Sequence, residues 1–218
     1  MTQNVAVILA GCGVYDGSEI QEVVLALLAL HKQGASVRCF APNISQMHVI
    51  DHQSGEPMEP SRNVLVEAAR ITRGAVSDLA TYDTASFDAL VLPGGFGAAK
   101  NLSDFAVKGA DCTVNEQVAK AVLSTKEAGK VIGAMCIAPV ILARLIPGVT
   151  ITLGDDGDAA KGAEKMGANH KVASHGEVVV DHANKVVTTP AYMLDANISQ
   201  IEEGASALIE HVLAIAGA

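Results

Sequence analysis

The chain has 218 residues, half of them hydrophobic and only 3% aromatic, with a formal net charge of −9. That charge argues against nucleic acid or an anionic membrane as partner, and no apolar run reaches the length of a membrane span. The Ala/Val/Ile/Leu-rich profile, with 20 glycines, suits a parallel sheet covered by helices. Val5 to Ala10 is too short, and lacks the basic flank, for a secretory signal. Cys12, Cys39, Cys112 and Cys136 form no CxxC pair, which speaks against zinc-ribbon and thioredoxin chemistry and implies free thiols in a reducing cytoplasm.

In chain order, Val5–Ala10 is a continuous apolar strand, and Ser18 to Gln33 is a helix with Ser18 as N-cap, Gln21 as its capping-box partner and Gly34 ending it. Val37 to Ala41 is the second strand, stopped by Pro42. Residues 43–60 are polar, with Val49–His52 and Glu56–Met58 flanking a hairpin around Ser54-Gly55. Ser61 caps a helix to Thr72. Ala89–Leu92 is the third core strand and runs into Pro93-Gly94-Gly95. A helical turn near Ala98 to Leu102 and a loop through Cys112 lead to a helix from Asn115 to Ala128. Val131-Ile132 opens a strand, and a helix from Ile137 to Ile146 follows it. Val149–Leu153 is a strand and Asp158–Met166 a helix. Val178–Asp181 and Val186–Thr189 form a hairpin, and a helix from about Leu194 to Ala216 closes the chain. Alternating β and α elements without a linker or repeat predict one doubly wound α/β domain over residues 1–218, with ligands beyond the carboxyl ends of its strands.

Three motifs fall at that edge. Gly11-Cys12-Gly13 with Gly17 departs from a dinucleotide fingerprint, because the last glycine comes one residue late and the second strand ends without a ribose-binding acid. Its glycines allow a wide loop that brings the next helix over the sheet. Glu19, in that helix's first turn, is either a solvated carboxylate complementing the helix dipole or a general acid/base. Pro93-Gly94-Gly95 is either a tight turn or a pocket of backbone N–H groups suited to an oxyanion. The third motif, Gly133-Ala134-Met135-Cys136-Ile137-Ala138-Pro139, has small residues two positions either side of Cys136. This is the spacing of a nucleophile elbow, in which a tight strand-to-helix turn thrusts the reactive atom above the sheet. The alternative is a buried structural cysteine.

The blocks VLPGGFG (91–97) and GAMCIAP (133–139) resemble the ThiJ/PfpI branch of the class I glutamine-amidotransferase-like fold, a flavodoxin-like architecture. Within it, AGCGVYDGSE (10–19), ARITRG (69–74), PGGFGAAKNL (93–102) and TTPAYM (188–193) are similar to the enhancing lycopene biosynthesis, or isoprenoid biosynthesis, group. That group resembles glyoxalase III enzymes, which convert glyoxal-type 2-oxoaldehydes to hydroxy acids, an activity also discussed as protein deglycation. The resemblance implies Cys136 as nucleophile, Glu19 as the acid facing it, and the amides of Gly95 and Ile137 as oxyanion hole. It implies a small aldehyde substrate, a homodimer, and neither metal nor organic cofactor.

Two departures matter. Ile137 stands where many relatives have histidine, and residues 188–192 lack the triad histidine of the glutaminase branch. His170, His175 and His182 gather around the predicted hairpin as polar surface residues, with His170 or His175 able to reach the site from a loop. With Glu19 placed by the resemblance, a coupled Cys136–Glu19 pair is expected, with positive φ at Cys136, a thiol pKa lowered by the helix N-terminus, and a mostly protonated Glu19. The alternative function is a redox-sensing or interaction protein that signals through oxidation of Cys136.

Overall fold

Strand β1 (Asn4–Ile8) and the residues just after it explain why the central sheet is buried on both sides. Ala6, Ile8 and Ala10 point into one hydrophobic cluster, while Val5, Val7 and Leu9 point into another. A strand alternates its side chains between faces, so an unbroken apolar run satisfies two helical layers at once. The computed structural model describes residues 2–217.

After β1 come α1 (Ile20–Lys32), β2 (Ser36–Ala41), α2 (Val64–Ile71), β3 (Val76–Asp78) and β4 (Ala89–Leu92). The chain continues through α3 (Phe96–Lys100), α4 (Phe105–Lys108), α5 (Glu116–Glu127), β5 (Val131–Met135) and α6 (Pro139–Leu145). It closes with β6 (Thr150–Ile151), α7 (Asp158–Lys165), β7 (Asn169–His170), β8 (Val179–Asp181), β9 (Val186–Thr189) and α8 (Ile198–Ala216). The main sheet has the order β3-β2-β1-β4-β5-β9-β8, parallel except for β8, and β6 and β7 pair separately. Helices α1, α2 and α8 cover one face and α3, α5, α6 and α7 the other. This is the doubly wound, mostly parallel α/β architecture expected. Strand order reverses between β1 and β4, so the loops after these two strands flank the crevice where such sheets bind ligands.

Several local expectations shift for identifiable reasons. Helix α1 starts at Ile20, and Ser18 does not cap it, because Ser18 Oγ accepts the Ala10 N–H at 2.8 Å. Glu19 becomes the N-cap and accepts the Glu22 N–H at 2.7 Å. Helix α2 is capped by Asn63 rather than Ser61. The hairpin around Ser54-Gly55 reduces to one antiparallel bridge, Ile50 to Pro57. Strand β3, too short to carry a periodic signal, adds a parallel edge beside β2. The last helix begins at Ile198 because Asn197 and Gln200 form a capping box there.

Asn101 fastens the crevice loops together. Its Nδ2 donates to the carbonyls of Ala10 and Asp16 at 2.9 and 2.8 Å, and its Oδ1 accepts the Met47 N–H at 2.9 Å. Asn101→Ala would orphan two buried carbonyls and one partly buried N–H, and each buried loss costs about 1–3 kcal/mol. The variant is expected to lose at least about 2 kcal/mol in urea unfolding; a midpoint equal to that of the parent would refute this role.

Candidate active site

The elbow forms as its small residues predict. Strand β5 ends at Met135, Cys136 adopts φ 58°, and α6 starts at Pro139. The Cys136 N–H still bonds the Thr189 carbonyl at 3.1 Å, so the strained residue hangs from the β5–β9 ladder. Ala138 is fully buried and Ile137 is only partly so. Cys136 itself is 7% exposed.

The carboxyl that meets the sulfur belongs to Glu22, not to Glu19. Because α1 begins later than expected, Glu19 is spent on its cap, and Glu22 turns inward on the buried stripe with Val23, Ala26, Ala29 and Leu30. Glu22 is fully buried; its Oε2 accepts the Gly94 N–H at 2.9 Å, and its Oε1 takes a longer contact of 3.4 Å from the Tyr192 N–H. The Cys136 S–H faces this carboxyl. The backbone N–H groups of Gly95 and Ile137 also face the sulfur and favour its anionic form.

Glycines make the approach possible. A Cβ on Gly94 would lie 2.4 Å from the Cys136 Cβ and 2.8 Å from Glu22 Oε2. At Gly95, φ is 93° and a Cβ would meet the Glu19 nitrogen at 2.3 Å. The Pro93-Gly94-Gly95 turn is thus packed directly on both the elbow and the first turn of α1.

Burial governs the ionisation of the pair. It raises the Glu22 carboxyl to about 7, with the neighbouring Glu19 charge adding to the rise and the N–H bonds opposing it. Burial also pushes the Cys136 thiol well up, reinforced by the Glu22 charge and only partly offset by the Gly95 and Ile137 amides. The expected lowering of the thiol pKa is therefore overturned: removal from water and a nearby carboxylate outweigh the amide dipoles. Glu19 does rise as expected, through burial, but away from the sulfur.

No histidine is a partner of Glu22 or Cys136 among the described residues. His170 sits on β7 with Nδ1 3.2 Å from Asp156 Oδ1, and His182 is exposed. Among the described residues, no group of three or more His, Cys, Asp or Glu could hold a metal ion. All four cysteines are free thiols.

Residues 6–195 match the family model described as DJ-1/PfpI. This chain belongs to the DJ-1/PfpI family. It is 48% identical over 224 residues to the human "Glutamine amidotransferase-like class 1 domain-containing protein 3, mitochondrial", covering 98% of this chain and 84% of that one. It also resembles the crystal structure of an Ehrlichia chaffeensis "isoprenoid biosynthesis protein with amidotransferase-like domain", at TM-score 0.91 and 37% identity over 97% of this chain and 99% of that one. Drosophila melanogaster DJ-1beta shares the fold at TM-score 0.56 and 20% identity, over 100% of this chain and 97% of that one.

The position of Glu22 carries a stability signature. In the unfolded chain a glutamate titrates near 4.5, whereas in the fold this one titrates at about 7. Below 4.5 both states are protonated and burial carries no charge penalty. Stability falls as pH rises through this window, and the loss is complete above 7, on the order of 3 kcal/mol at 1.36 per unit. In melts at pH 5 and pH 8, Glu22→Gln should therefore gain stability relative to the parent at pH 8. Parallel behaviour at the two pH values would contradict a buried ionisable Glu22.

Proposed function

We propose that this DJ-1/PfpI protein is a cofactor-independent glyoxalase that converts small 2-oxoaldehydes to 2-hydroxy acids through a Cys136 hemithioacetal. The observation that carries this reading is a fully buried carboxyl, poised near neutrality, against the sulfur of a strained elbow cysteine. Ionised Glu22 takes the thiol proton as sulfur bonds to the aldehyde carbon, then returns it to the aldehyde oxygen. The amides of Gly95 and Ile137 support that oxygen while it is negative. Glu22 next removes the proton from the former aldehyde carbon, giving an enediolate, and delivers it to the neighbouring carbon while the hydroxyl proton passes to the neighbouring oxygen, leaving a thioester. Water hydrolyses the thioester, releasing the hydroxy acid and the thiol. The balance is one aldehyde and one water in, one hydroxy acid out. Glu22 thus takes the acid/base role that the resemblance assigned to Glu19.

A nucleophilic residue only 7% exposed favours small free aldehydes over adducts carried on other proteins. That argues for glyoxalase over deglycase activity. A homodimer is part of the same proposal, supported by Ile20, Val24 and Leu28, an exposed apolar stripe at helical spacing on α1. Sedimentation at micromolar concentration should give twice the chain mass, and a monomer would remove the dimer from the proposal. The compartment we propose is a reducing one. Human and rat relatives carry "mitochondrial" in their names, so the cytoplasm is not singled out. No helix among the described residues is long and apolar enough to cross a membrane.

Hydroxy-acid formation from glyoxal and methylglyoxal tests the chemistry. Cys136→Ser should abolish turnover. Glu22→Gln should lower kcat/KM by roughly 10²–10⁴, the usual worth of a general acid/base. Glu19→Gln, which touches the helix cap rather than the sulfur, should stay within about tenfold of the parent, since a cap is worth only about 1 kcal/mol. The rate of the parent should climb as pH rises through about 7, where Glu22 ionises. Oxidation-dependent capture of a partner by Cys136, without sustained turnover, would favour the sensor instead.

A further inference from the structure

The loop after β9 leaves the sheet beside the elbow, since Thr189 accepts the Cys136 N–H. It then makes a tight turn, Ala191–Met193, in which Ala191 holds φ 45° although it is not glycine. Held in this strained turn, the next residue presents two groups to consecutive residues of α1. The Tyr192 N–H points at Glu22 Oε1, and its phenol donates to Gln21 Oε1.

The two oxygens of Glu22 are held unequally. Oε2 is gripped at 2.9 Å by Gly94, in the rigid turn after a central strand, whereas Oε1 has only the 3.4 Å contact from the loop. A contact that long weakens further with any drift, so its persistence depends on what else anchors the loop. The phenol–Gln21 bond is one such anchor, beside the packing of Ala191, Tyr192 and Met193 on the core. We infer that Tyr192 is a positioning residue for the Cys136–Glu22 pair, fastening the loop to the first turn of α1 through its phenol so that its backbone N–H fixes the orientation of the Glu22 carboxyl.

The groups facing that carboxyl are Glu19 from α1, Cys136 from the elbow and Tyr192 from the loop. Of the donors to it, Tyr192 alone comes from outside the elbow and the β4 turn. Loosening the loop takes an N–H from the carboxylate form, so Glu22 should then titrate higher and lie less squarely on the sulfur. This inference rests on the proposed function only in that Glu22 handles the Cys136 proton.

The test uses Tyr192→Phe, Gln21→Leu and the double variant in the full chain. The pH dependence of Cys136 alkylation by iodoacetamide, read by peptide mass spectrometry, is measured beside methylglyoxal turnover. Each single variant should move the midpoint of the alkylation profile downward, because a Glu22 that keeps its proton longer opposes the thiolate less, and should lower kcat roughly tenfold with KM unchanged. The double should do no worse than either single, because both remove one bond. A folded Tyr192→Phe with the parent's midpoint and kcat, or single effects that add in the double, would overturn the inference. If the parent turns over no aldehyde but the alkylation midpoint still moves in both single variants, the glyoxalase proposal fails and the positioning role stands.

Discussion

The constraint on which the rest of this molecule depends is that a carboxyl and a thiol share one dry space. Two acidic groups so placed cannot both ionise at neutral pH, because each charge lacks water and faces the other. The pair therefore keeps at least one proton, and the loops around it decide where that proton sits. The Gly94 amide and the loop after β9 draw charge toward Glu22, while the amides of Gly95 and Ile137 draw it toward sulfur. In the proposed glyoxalase reaction, the proton that Glu22 moves is one already present in the pair rather than one fetched from solvent.

Delivering Glu22 to that space requires helix α1 to enter over the sheet at one angle. The loop before it doubles back on itself, with the Gly17 N–H on the Gly13 carbonyl, and Asn101 pins it to the end of α3. Gly97 lies so close to Gly17 that a Cβ would come within 2.6 Å of backbone. The helix then continues against α8 and the sheet through Val23, Ala26 and Leu30. A backbone contact that tight leaves the helix little room to slide, which is how a carboxylate near a glycine-rich loop acquires a fixed address.

Much of this was legible from the chain alone. Small residues around Cys136 announced the elbow, and the strand–helix alternation announced the architecture and the edge where chemistry gathers. The doublet after β4 left a tight turn and a pocket of N–H groups both open, and in the fold the Gly94 amide meets Glu22 while the Gly95 amide faces the sulfur. The missed residue was Glu22, and the cause was one hydrogen bond: Ser18 looks like a cap, but the Ala10 amide claims its hydroxyl, so the cap passes to Glu19 and the helix begins one residue later. A signal was nonetheless present, since Glu22 falls on the apolar stripe of α1, where an unpaired carboxylate has no structural reason to be. Tyr192 lies within the TTPAYM block, but that resemblance gives it no role. Its role depends on the turn at Ala191, a tertiary outcome that neither periodicity nor a motif encodes. The thiol's ionisation was misjudged for a related reason, because a helix N-terminus is visible in a sequence and the depth of burial is not.

The middle strands of the sheet, from Val5 onward in β1 and throughout β4 and β5, have no side facing water. Val5 to Ala10, Ala89 to Leu92 and Val131 to Met135 are buried at every position. A new specificity therefore cannot be written along these strands, since each residue there is already committed to one helical layer or the other. It has to be written in the short connections that emerge at one rim, after β1, β4 and β9. The scaffold and its chemistry are thus separable in mutational space: one part tolerates almost no polarity, and the other is free to vary only where it does not carry the glycines and amides that let a sulfur and a carboxyl touch.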